Sequence, residues 1–162
     1  MPSDYEHWVF VGSNLGLVYS GEAQGTTKRE TERAAHEKFH NVYMETEAYL
    51  YFMEHGEFRN PTEFLFEIWD AGEKIPDPIL TEGKFNQAPM TAVEMAVKDS
   101  KRPDLGGSRE IWAYYAFDGI PTPKSTPPMP DNVCWECHSV HPDFDNVWVQ
   151  FYPRLKARLT QN

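Results

Sequence analysis

Polar and apolar residues alternate with a period of two in several stretches of the chain. In "TEFLFEIWD" (Thr62–Asp70), Phe64, Phe66 and Ile68 alternate with Glu63 and Glu67, which predicts a strand with one wet face. Leu65 and Trp69 interrupt the pattern. "TAVEMAVKD" (Thr91–Asp99) sets Val93, Met95 and Val97 against Glu94 and Lys98 in the same way. "HWVFVG" (His7–Gly12) and "FHNVYM" (Phe39–Met44) read as further strands. "REIWAYYAFDG" (Arg109–Gly119) is apolar on both faces, as a central strand would be. "ETEAYLYFMEHGEF" reads as a helix that stops at Gly56, where a glycine cap is expected. Near the end, Phe144, Val147, Trp148, Phe151 and Leu155 fall at helical spacing. They predict an amphipathic helix, with Pro153 as its kink or end.

The segments between these elements are polar or rich in Gly and Pro. "GSNLGLVYSGEAQG" and "GEKIPDPILTEGKFNQAP" read as loops, and Thr26–Lys38 as a polar surface segment. "IPTPKSTPPMPD" has five prolines in twelve residues, so it reads as a stiff, extended arm. About five strands with few helices give an α+β class: a mostly antiparallel sheet with a few peripheral helices. There are no internal repeats, and too little chain follows the proline arm to make a second domain. Residues 1–162 form a single domain.

Composition narrows the partners. The formal charge of −10 and the lack of a Lys/Arg cluster argue against nucleic acid and anionic membranes. No stretch has the length of an apolar membrane span. Aromatic residues make up 14% of the chain, which suggests a ring-rich core or a flat-walled apolar pocket.

The only two cysteines stand in "CWECH" (Cys134–His138). Three chemistries compete for this pattern. A redox thiol pair usually opens a helix in a parallel thioredoxin-like sheet, and this chain does not read as βαβ. A zinc site needs four ligands, and adjacent Cys137 and His138 are strained partners for one tetrahedron even with His141 added. The third is covalent attachment of haem c, which the spacing favours. Cys134 and Cys137 would bond the two vinyl groups, and His138 would ligate iron. Such attachment needs reduced thiols outside the cytoplasm, so a periplasmic location is expected. The N-terminus "MPSDYEHWVFVG" lacks a signal pattern, so a signal peptide is expected to have been removed.

Several stretches together resemble the cytochrome P-460 and cytochrome c′-beta family. They are "HWVFVG", "FHNVYM", "GEFRNPTEFLFEIWDAG", "AVEMAVKDSKR", "WAYYAF" and "CWECH…FYPRL", in family order and across nearly the whole chain. The resemblance implies one haem c per chain, a mostly antiparallel β fold and a homodimer. It also implies Cys134 and Cys137 as thioether donors, His138 as proximal ligand, and an open or water-filled distal site.

The family has two branches. In one, a lysine cross-linked to the porphyrin accompanies hydroxylamine oxidation. An ungapped alignment puts Phe66 at that position, and phenylalanine has no amine to form the bond. Lys74 and Lys84 are expected in the following loop, away from it. In the other branch apolar rings cap the distal face, and the haem binds nitric oxide or carbon monoxide. Phe66 fits that branch, and Phe39 is a weaker second cap. A ring over iron offers no hydrogen bond, which suits neutral diatomic ligands. The oxidising branch also uses a distal acid, for which Asp131 and Glu94 are the nearest candidates. Arg154 is a candidate for contact with a propionate or the proximal face. His141 is expected only to cap the final helix.

The sequence thus favours a haem c protein that binds a small gas for trapping or sensing. A hydroxylamine- or peroxide-using oxidoreductase is the alternative. An electron carrier is a third reading, and it would need a strong sixth ligand. The redox partner is open.

Overall fold

A computed structural model describes residues 1–17, 37–73, 83–102, 111–117 and 123–160. The polar segment Thr26–Lys38 lies outside these except for its last two residues, as do Lys74 and the start of the proline arm. After a single 3-10 turn at Tyr5–His7, five strands follow: β1 (Val9–Leu15), β2 (Lys38–Met44), β3 (Thr62–Glu73), β4 (Lys84–Lys98) and β5 (Trp112–Phe117). They pair antiparallel in sequence order. Helix α1 (Thr46–His55) joins β2 to β3, the short helix α2 (Trp135–His138) carries the cysteine motif, and α3 (Pro153–Leu159) ends the described chain. The expected α+β class is the one observed.

Alternation along the strands sorts the side chains onto two faces. One face carries Val11, Val42, Met44, Phe64, Ala96, Trp112 and Tyr114, and packs against α1, α3 and the segment around α2 through Ala48, Phe52, Val149, Tyr152 and Leu155. The other carries Leu65, Val93, Met95 and Phe117, partly covered by Trp8, Tyr5 and Met1. The first is the packed face of the sheet. On the second face, Glu67 is buried because Tyr5, Tyr43 and Trp69 all donate to its carboxylate. Burial and the neighbouring carboxylate push the Tyr43 hydroxyl up to about 12.

Helix α1 begins at Glu45, whose carboxylate accepts from the N–H groups of Glu47 and Ala48, both at 2.8 Å. It ends at Gly56, whose φ of 76° is the left-handed conformation that glycine adopts without strain. The guanidinium of Arg158 on α3 donates to the Met53 and Glu54 carbonyls at that end, at 2.7 and 3.0 Å. Gly12 on β1 admits the chain crossing above it. A Cβ there would meet the Phe151 carbonyl at 3.1 Å and the Tyr152 ring at 3.2 Å.

The structure departs from the sequence expectations at several places. Phe144–Leu155 is not one helix: it contains a Phe144–Val147 bridge, a 3-10 turn at Val149–Phe151, and then α3. Pro153 starts α3, where its missing N–H costs nothing. Strand β4 starts at Lys84, inside the expected loop, because its outer half pairs with Gly72 and Glu73. Lys84 therefore sits on a strand, with its ammonium on Glu37. Strand β5 is an edge strand among the described residues, yet its flank is covered: the proline arm runs beside it and the Met129 N–H donates to the Tyr114 carbonyl at 2.7 Å.

Candidate functional site

The cysteine motif forms a tight helical turn next to β5. The His138 N–H donates to the Cys134 carbonyl at 3.0 Å, and the Ser139 N–H to Trp135 at 2.8 Å. A separation of three in a helical turn puts the Cys134 and Cys137 side chains on the same side. The two are not joined in a disulfide, and both are half-buried. The indole N–H of Trp135, between them, is buried and meets no acceptor among the described residues.

His138 is fixed from three sides. Its ring lies 4.1 Å from the ring of Tyr114 on β5 and 4.1 Å from that of Trp148, measured between centroids. Its Nδ1 donates to the Asn146 carbonyl at 2.9 Å. The neutral imidazole then carries its lone pair on Nε2, the arrangement a metal-binding histidine needs. Burial pushes the His138 pKa down to about 4 against the opposing pull of that hydrogen bond, so the ring is neutral at physiological pH.

The carbonyl that orients His138 belongs to a constrained turn. Asp145 and Asn146 have φ of 41° and 61°, conformations that Asp and Asn tolerate better than other residues with a Cβ. Asp145 is held by Lys98 Nζ at 2.8 Å and by the Trp112 indole N–H at 3.1 Å. Lys98 also donates to the Phe58 carbonyl at 2.9 Å. The turn is thereby tied to the ends of β4 and β5.

The sheet brings further candidates to the same side. Tyr114, which holds His138, is followed on its face of β5 by Ala116. Ala116 pairs with Glu94, Glu94 with Phe66, Phe66 with Val42, and Val42 with Gly12, in one cross-strand row. Phe66 is half-buried and meets Tyr152 edge-on at 6.5 Å. His138, Phe66 and Glu94 thus share the packed face. Phe39 does not join them. It pairs with Trp69 and stands on the opposite face, three residues and therefore one change of side from Val42. Arg154 is exposed on α3. The arginine of α3 that reaches the core layer is Arg158, at the end of α1. Asp131 and His141 are exposed too. Sequence reasoning missed Asp145, Asn146, Tyr114 and Trp148. The Asp-Asn dipeptide was a usable turn signal for the first two.

The donors suit a covalently held haem. Two thiols on one side of a turn and a neutral imidazole with Nε2 as its basic atom stand within five residues of one another. No group of three or more His, Cys, Asp or Glu side chains is placed to hold a bare metal ion among the described residues. No helix among them is long and apolar enough to cross a membrane.

Residues 2–149 match the family model described as Cytochrome P460. No curated protein matches the chain.

Proposed function

The chain belongs to the cytochrome P460 family, and is with it a haem-binding, iron-carrying cytochrome; from that premise we propose that it carries one haem c and binds a small gas at the iron. Cys134 and Cys137 would hold the porphyrin by thioether bonds and His138 would ligate the iron through Nε2. The observation that carries this reading is the Nδ1 hydrogen bond to Asn146, which commits the His138 ring to presenting Nε2. When bound, the haem would supply an iron able to take nitric oxide or carbon monoxide. The protein's own part is to hold His138 neutral and unable to rotate, and to set Phe66 on the same face of the sheet. A phenyl ring there excludes water and donates no hydrogen bond, which favours neutral diatomic ligands. Trapping or sensing of the gas is the role that fits, with Phe66 in place of a cross-linking lysine.

A homodimer and a periplasmic location belong to the same proposal, the second because haem attachment of this kind takes place outside the cytoplasm. One observation favours a second reading. Glu94 lies directly across from Phe66, so a carboxylate is available on that side for an oxidoreductase acting on hydroxylamine or a peroxide.

Intact mass of the purified protein tests attachment: the expected mass is that of the chain plus one haem. Peptide mapping should find links only at Cys134 and Cys137. The reduced protein should bind carbon monoxide with a large change in its optical spectrum. A reduced spectrum indifferent to carbon monoxide would defeat gas binding, and a lysine–porphyrin link would defeat the branch choice.

A further inference from the structure

Tyr152 immediately precedes α3 and lies across the packed face. Several contacts fix it. Its N–H donates to the Val149 carbonyl and its carbonyl accepts the Lys156 N–H of α3, both at 2.9 Å. Its ring runs so close to β1 that a Cβ on Gly12 would stand 3.2 Å from Cδ1. The ring stacks on Phe64 at 6.3 Å and meets Phe66 edge-on at 6.5 Å, measured between centroids. Tyr152 is 4% exposed, yet its hydroxyl makes no hydrogen bond among the described residues. Burial alone raises its pKa, with no carboxylate or cation acting on it. It is therefore a rigid, uncharged O–H donor that the described residues leave without an acceptor. Such a group loses its hydration and gains nothing in return. Phenylalanine would fill the same space against Gly12, Phe64 and Phe66 without that loss. The hydroxyl is satisfied only by an acceptor that these residues do not supply.

We propose that the Tyr152 O–H donates a hydrogen bond to the outer atom of the gas bound at the iron, and that this bond favours nitric oxide over carbon monoxide. It rests on the haem reading above and refines the ligand class. Two observations choose the gas over a haem carboxylate as the acceptor. Tyr152 is flanked by the rings of Phe64 and Phe66, where a carboxylate would be desolvated with no cation to offset it. The arginines of α3 point elsewhere: Arg154 is exposed, and the Arg158 guanidinium donates to the Met53 and Glu54 carbonyls. A neutral diatomic needs no counter-charge. Phe66, the proposed cap, is also the ring that Tyr152 meets edge-on, which sets the donor beside the cap. Phe66 alone would make the site purely apolar, and Tyr152 adds one neutral donor to it. Nitric oxide at iron carries more negative charge on its outer atom than carbon monoxide does, so a donor holds it more firmly. No proton is transferred and no covalent bond breaks.

The experiment uses the holoprotein, first confirmed by mass to carry haem. Absence of haem would defeat the haem reading and this proposal together, whereas the later steps bear on Tyr152 alone. Tyr152→Phe removes one oxygen and keeps the ring. The infrared C–O stretch of the carbon monoxide adduct should rise in the variant, because a donor on the outer atom lowers it. In the wild type, exchange into deuterium oxide should move the same stretch, a readout that needs no variant. Nitric oxide should dissociate roughly fivefold faster from Tyr152→Phe, the effect of losing one neutral hydrogen bond. Carbon monoxide should dissociate less than about twofold faster on the same scale. The urea midpoint of the unliganded holoprotein should not fall, since the hydroxyl has no protein partner to lose. Three outcomes would overturn the proposal. One is an unmoved C–O stretch with unchanged nitric oxide dissociation. Another is equal acceleration of both gases, which would mean only a looser pocket. The third is a lower urea midpoint with an unmoved stretch, which would place the hydroxyl's partner within the protein.

Discussion

Asp145 offers the most direct test of how the fold aims His138. Removing its carboxylate takes two hydrogen bonds from the turn that presents the Asn146 carbonyl. The Lys98 side chain is 13% exposed and that of Asp145 34%, so solvent screens part of the ion pair. It is worth about 1 kcal/mol, at the upper end for partly exposed pairs. Trp112 is 3% exposed, and leaving its indole N–H without an acceptor costs about 1–2 kcal/mol. Asp145→Gly should therefore destabilise the protein by about 2–3 kcal/mol, since glycine accepts the φ of 41°. Asp145→Ala should cost about 1 kcal/mol more, because alanine strains that conformation. Asp145→Asn keeps an acceptor for Trp112 and tolerates the backbone, so it should lose only about 1 kcal/mol. Urea unfolding of the holoprotein, followed by tryptophan fluorescence, measures all three as midpoint shifts at constant slope. Asp145→Gly at wild-type stability would show that the clamp contributes nothing. Alanine no worse than glycine would show that the turn relaxes out of the left-handed region.

Other parts of the framework make equally specific predictions. Gly56→Ala should cost about 1–2 kcal/mol, read by urea unfolding, because the φ of 76° disfavours any Cβ. Leu155→Ala removes a fully buried side chain that fixes α3 to the packed face and should cost about 2–5 kcal/mol, lowering the melting temperature by calorimetry. Glu45 governs part of the acid sensitivity. Burial alone would raise its carboxyl, but the Glu47 and Ala48 N–H groups and Arg59 together hold it below its ordinary value of 4.5. Its folded pKa is depressed, so its contribution is present above about pH 4.5 and is lost as pH falls through the lower folded value. Glu45→Gln should cost about 1 kcal/mol at neutral pH and flatten the loss of stability below pH 4.5, measured by urea melts across that range.

Local chemistry made most of the framework legible in advance. The period of two in Thr62–Asp70 and Thr91–Asp99 marked both as strand, and β3 and β4 contain both stretches but for Asp99. The face of β3 expected to be wet is nonetheless covered, with Glu67 buried among Tyr5, Tyr43 and Trp69. Gly56 needed only its missing Cβ to mark the end of α1. The errors lie where long-range pairing decides the outcome. Lys84–Pro89 looks like loop because it has polar residues and a proline, but pairing along the outer half of β3 makes it strand. The apolar residues from Phe144 to Leu155 have helical spacing, yet Asp145 and Asn146 form a left-handed turn in which Asp145 is held by Lys98 and Trp112, residues more than thirty positions away.

The candidate site divides the same way. Cys134, Cys137 and His138 are contiguous, so their association follows from one turn of helix. Which rings share a side with His138 does not, because it requires the register of every strand between β2 and β5. A shift of one residue in that register would put Phe39 on the packed face in place of His40. Phe39 and Phe66 look equivalent as phenylalanines on predicted strands. The continuous pairing of β2 from Lys38–Asp70 to Met44–Phe64 separates them. The same pairing brings His40 to the side of Phe66 and places Glu94 across from it. The side of the sheet that carries Phe66 is therefore written in cross-strand partners, and on it one ring stands beside an acid and an imidazole. The proposed choice between a dry gas site and an oxidising one therefore turns on Glu94, directly across from Phe66, as well as on Phe66 itself.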